Sequence, residues 1–166
     1  MAVTWEAFRA VQPDLEAKGR EFLYEYGVGI AFLATVRPDG GPRVHPISPI
    51  LVDGRLFGLI VPGPKLNALR RDPRYALHTE TYPPPRQDDG FYLTGTVVEI
   101  TDAATQDRIA AQYLAERKHK ARWPGFDDQV MFEFLLDRCL LSITTPGDAF
   151  PGPRHTPWRA PDASAA

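Results

Sequence analysis

The chain has 166 residues, 43% of them hydrophobic, a net charge of −2 and a single cysteine. That size suits one domain over residues 1–166 with a core of its own, and the near-neutral charge argues against a general nucleic-acid binder. Cys139 alone excludes an internal disulfide or cysteine-rich metal site, no apolar run would cross a bilayer, and Met1 to Glu6 does not look like a secretory leader, so the expectation is a soluble cytoplasmic protein with no nucleic-acid or membrane partner.

Thr4 to Ala10 predicts a short helix capped by Thr4. Pro13 to about Tyr26 predicts a second, with proline at its first position and Leu15, Phe22, Leu23 and Tyr26 on its apolar side. Gly29 to Arg37 alternates as a strand, and Pro38-Asp39-Gly40-Gly41 is a turn. Arg43 to Val52 predicts a second strand, disrupted by Pro46 and Pro49. Asp53-Gly54 signals a two-residue hairpin into Leu56 to Val61, whose nearly continuous apolar residues predict burial on both faces. Pro62-Gly63-Pro64 turns into a short helix carrying Lys65 in its first turn. Arg74 to Thr81 and Phe91 to Ile100 predict further strands around a proline-rich loop. Asp102 to about Lys118 is the clearest helix, and Val130 to Thr144 predicts a long last strand bent near Asp137. From about residue 146 the chain is rich in proline, glycine and polar residues and reads as a surface tail. Six strands with hairpin turns and peripheral helices predict a mainly β antiparallel barrel or sheet.

The Gly/Pro turn before Lys65 is the leading candidate site. Helix N-terminal amides attract anions and a lysine adds a full charge; the alternative is a solvated surface lysine. No Walker or Rossmann glycine pattern is present. Arg43 to Pro49 is the second candidate. A strand bent by two prolines can leave amides and carbonyls free for the edge of a planar ligand, with His45 and Ser48 adding polar side chains; equally, the prolines can simply protect an edge strand. His78 reads as structural, and the four histidines lack metal-ligand spacing. Cys139 reads as inert core, and neither Ser48 nor Ser142 has a nucleophile-elbow context. His155-Thr156-Pro157-Trp158-Arg159 could stack on a ligand or a neighbouring subunit, but docking of the tail on its own barrel is favoured.

In order, Phe32 to Gly40, Pro42 to Ile47, Asp53-Gly54-Arg55-Leu56-Phe57, Lys65, Leu69 to Leu77 and Phe132-Glu133 resemble the pyridoxamine 5′-phosphate oxidase-like, FMN-binding split-barrel family over about Leu15 to Ile143. The resemblance implies a six-stranded antiparallel split β-barrel, a homodimer, and a flavin-type cofactor at the dimer interface serving redox chemistry on a small-molecule substrate. It implies that Lys65 contacts the cofactor phosphate, with Leu66 and Asn67 beside it. It implies that His45, Pro46, Ile47 and Ser48 line the ring, with Ile60 and Val61 close by. FMN is the favoured cofactor and a deazaflavin the alternative; a flavin- or haem-storing protein without catalysis is a different class. The chain departs from the family pattern at Gly63-Pro64, where Ser or Arg is common, and at Ala68, where Asn or Asp is common. It also lacks the substrate-phosphate arginines of the vitamin B6 enzymes, and no acid–base residue is assigned.

Overall fold

A computed structural model describes residues 1–144 and 152–161. The elements run α1 (Trp5–Val11), α2 (Pro13–Leu23), β1 (Ala31–Val36), β2 (Pro42–Ile47), β3 (Ile50–Val52), β4 (Arg55–Ile60), α3 (Pro64–Arg71), β5 (Arg74–Thr79), β6 (Gly90–Glu99), α4 (Ala103–Glu116), β7 (Val130–Ile143) and β8 (Arg154–Arg159). All strand pairings between these elements are antiparallel, in the order β2-β1-β5-β6-β7-β4-β3, with β8 added to β7. This is the split-barrel fold with more strands than expected: eight among the described residues rather than six.

Both extra strands have an identifiable cause. The predicted strand Arg43 to Val52 breaks at Ser48-Pro49, and its halves go to opposite flanks. β2 pairs with β1 and β3 pairs with β4, so one bent segment closes the barrel. Pro46 does not break β2, because β2 pairs on one side only and its missing N–H costs no ladder bond there. The tail supplies the other strand. Trp158 lies opposite Cys139 and its ring sits 4.7 Å from that of Phe8, so this segment docks on its own barrel as favoured. Residues 145–151 and 162–166 of the predicted tail lie outside the described residues.

Local signals account for most boundaries. The Thr4 hydroxyl accepts from Ala7 N, and the Asp102 carboxylate accepts from Thr105 N, as helix caps. Asp53 and Gly54 both take positive φ, the twist a tight hairpin needs. The bend near Asp137 is a bulge: Thr94 faces Arg138, Gly95 faces Leu136, and the Asp137 between them is unmatched. Helix α2 ends at Leu23, before the predicted Tyr26. The Tyr24 hydroxyl instead accepts from Leu51 N, 2.8 Å away, on the outer edge of β3.

The core has two parts. Leu33, Leu56, Leu77, Phe91 and Phe134 fill the barrel under Trp5 and Phe8 of α1. Ile50, Val52, Phe57, Phe126 and Met131 pack with Ile109 and Ala110 of α4. β4 serves both, with Leu56 and Ile60 inward and Phe57 toward α4, so its two apolar faces are covered within one chain. Among the described residues no helix is long and apolar enough to cross a membrane.

Candidate functional site

The first turn of α3 follows from Gly63-Pro64. Gly63 has φ +147°, a region that favours glycine, and open space lies where a Cβ would project. Pro64 has no N–H, and the first helical bond runs from Asn67 N to Gly63 O. The amides of Lys65 and Leu66 therefore begin the helix without an intrahelical partner, and no side chain caps them. Lys65 itself is half-buried, and that burial lowers its ammonium pKa. Among the described residues no carboxylate offsets that cost.

Strand β2 brings a second group to the same place. In the ladder, His45 faces Leu33 and Arg43 faces Thr35, on the side of β1 that is buried. His45 Nε2 is buried and has no hydrogen-bond partner, as has Thr35 Oγ1. The His45 imidazole is held below its usual 6.5, first by burial and then by the charges of Lys65 and Arg43. It is therefore neutral at pH 7, with one N–H to donate. Two cations and a neutral imidazole thus converge beside an uncapped helix start. Such a shelf is suited to an anion with several acceptor oxygens, and to a phosphate in particular.

The other expected contacts divide by position. Ile47, Ile60 and Leu66 have side chains in the barrel core, so only their backbones could meet a ligand. Ser48 is half-buried at the strand break, whereas Pro46, Val61 and Asn67 are exposed. The exposed Val44, at 61%, and Val61, at 55%, adjoin His45 and the turn into α3. Arg43 was part of the candidate segment but not of the expected ligand set; alternation in β2, which puts 43, 45 and 47 on one face, was the signal for it. A cavity of about 500 Å³ lies elsewhere, lined by residues that include Arg20, Tyr24, Leu51 and Glu116. Among the described residues no three His, Cys, Asp or Glu side chains gather as a metal site would need. Cys139 is buried and its thiol is pushed up to about 12 by desolvation, so it is inert.

Against known proteins, the family described as pyridoxamine 5′-phosphate oxidase matches residues 15–141. No curated protein matches the chain. Solved structures share its fold at low identity. A haem binding protein from Mycobacterium smegmatis is 15% identical over 86% of this chain and 57% of its own, with TM-score 0.61. A FAD-binding protein from Mesorhizobium loti is 18% identical over 74% of this chain and 90% of its own, with TM-score 0.57. A structure named F420 reductase is 21% identical over 72% of this chain and 94% of its own, with TM-score 0.56. One fold thus carries three different cofactor names.

Proposed function

The chain belongs to the pyridoxamine 5′-phosphate oxidase family, and from that premise we propose that it is a flavin-dependent oxidoreductase whose FMN phosphate rests on the shelf of Lys65, His45 and Arg43. The observation that carries this reading is the shelf itself: a half-buried lysine without a carboxylate, beside an imidazole nitrogen buried without a partner and close to a second cation, Arg43. A phosphate answers all of these at once. The Lys65 ammonium and Arg43 guanidinium would bind its charge, and the free amides of Lys65 and Leu66 would donate to its oxygens. His45, neutral, would donate its one N–H. The break at Ser48-Pro49 and Val61, just past the end of β4, would meet the ring, through backbone groups and an apolar contact. A bound flavin supplies the hydride or electron transfer; the chain's part is to bind, orient and desolvate it. The substrate is then a small molecule.

A deazaflavin cofactor is the second reading, favoured by the likeness to the structure named F420 reductase; its phosphodiester would use the same cations. Haem fits less well, since the histidine of the shelf has its free nitrogen buried beside two positive charges.

We further propose a homodimer in which a second copy covers Val44 and Val61. These exposed apolar residues flank the shelf, so a second copy there would close the ring site from water. Sedimentation at micromolar concentration tests this: dimer is expected, and monomer alone would refute it. The cofactor is tested by the visible spectrum of the purified protein and mass spectrometry of the ligand released on denaturation. FMN is expected; a deazaflavin would move the reading to its alternative, and haem would overturn it.

A further inference from the structure

The barrel closes at a point where its own backbone cannot make the bond. The β1–β2 register pairs Ala31 with Ile47, and continuing it sets Gly29 opposite Pro49. Proline has no N–H to give the Gly29 carbonyl. The two segments nevertheless approach closely: a Cβ on Gly29 would lie 2.0 Å from the Pro49 oxygen. Beyond this point the chain leaves β1 and pairs with β4. Two carbonyls are therefore left at the junction without a ladder partner.

Arg117 meets both. Its Nη2 donates to Gly29 O at 3.2 Å and to Pro49 O at 3.4 Å. The guanidinium is itself held in place. Its side chain is 10% exposed, its Cζ lies 3.9 Å from the centroid of the Tyr113 ring, and its Nη1 is 3.5 Å from Glu116 Oε2. Gln112 in turn donates to Glu116 Oε1. One guanidinium nitrogen, anchored at the end of α4, thus replaces the bond that Pro49 cannot form. Ser48 adjoins the clamped carbonyl, and His45 lies three residues before Ser48.

We propose that Arg117 is a positioning residue for the cofactor site: it fixes where the chain passes from β1 to β4, and so holds His45 to Ser48 against Lys65. This rests on the FMN reading given above for what the segment binds, but not for the clamp itself. With the clamp removed, the junction gains freedom and the site loses preorganisation, while the barrel core and α4 stay packed.

The test compares wild type, Arg117→Met and Arg117→Lys, all as full chains. Two readouts are taken well below each protein's melting temperature. The first is hydrogen exchange followed by mass spectrometry without cofactor. Arg117→Met is expected to exchange faster in peptides covering 42–52, with peptides from β6 and β7 unchanged; equal exchange in 42–52, or a rise spread over the whole chain, would overturn the proposal. The second is FMN titration with the visible spectrum recorded at saturation. Arg117→Met is expected to bind about tenfold more weakly with an altered flavin band, and Arg117→Lys to recover part of both. Unchanged affinity and spectrum in a wild type that binds FMN would overturn the positioning role. A wild type that binds no FMN would overturn the FMN reading instead, and exchange in 42–52 would still decide the clamp.

Discussion

Two charged regions of this molecule are built in opposite ways. Where β4 meets β7, Arg55 and Glu133 form a bidentate pair: Arg55 Nε donates to Glu133 Oε1 at 2.9 Å, and Nη2 to Oε2. Glu133 is almost fully buried, yet its charge is matched, and Arg55 also lies over the Phe57 ring. On the α3 shelf, Lys65 and Arg43 share one sign, with a neutral histidine between their fields. Burial without a partner costs free energy. The chain meets that cost in one place and avoids it in the other, which is the difference expected if the shelf serves the proposed phosphate site and the pair serves stability.

That contrast is open to a double dissociation. Glu133→Ala has the largest expected effect: it leaves Arg55 without its partner and should cost roughly 2–3 kcal/mol of stability, below the full buried-pair value because Arg55 is 35% exposed. Urea unfolding measures it, and FMN affinity of the folded variant should stay near wild type. Lys65→Ala should do the reverse. The loss of a charge-assisted phosphate contact is expected to weaken FMN binding by about ten- to a hundredfold, with the urea midpoint unchanged or slightly raised. If both variants lost stability and neither lost affinity, the two regions would be alike.

His45 sharpens the comparison through pH. Its folded-state pKa lies below 6.5, so the unfolded chain binds the proton more tightly. Stability from this group is full above 6.5 and is lost as pH falls from there toward the folded value. The melting temperature of cofactor-free wild type should therefore fall more steeply between pH 7 and pH 5 than that of His45→Gln. Saturating FMN should flatten the wild-type slope, because the phosphate offsets Lys65 and Arg43. Parallel slopes in the two proteins would remove His45 from the shelf. Ser48→Ala has the smallest expected effect, less than about threefold in FMN affinity, because the strand break is proposed to act through its backbone. A large loss would show side-chain recognition there.

Much of this was legible where the cause is local. The caps at Thr4 and Asp102, the Asp53-Gly54 turn and the bend at Asp137 each rest on a few neighbouring residues. So does Lys65, announced by Gly63-Pro64. What stayed hidden is set by distant partners. Two prolines interrupt the segment 43–52, but which one breaks the strand depends on β4 competing for residues 50–52. Arg55 and Glu133 are 78 residues apart, and Arg117 is 88 residues from Gly29; no spacing in the sequence pairs them. The tail read as a surface segment that docks on its own barrel, but that it does so as a strand depends on the free edge of β7 and the face of Phe8, which order Arg154 to Arg159.

The measurement that bears most directly on the shelf is the affinity of one protein for two ligands that differ by a phosphate. FMN and riboflavin are titrated into wild type and into Lys65→Ala, with flavin fluorescence as the readout. The account predicts that wild type binds FMN at least about tenfold more tightly than riboflavin, and that the preference collapses in Lys65→Ala through loss of FMN affinity alone. Equal affinity for the two flavins in wild type, or a preference that survives the substitution, would contradict it.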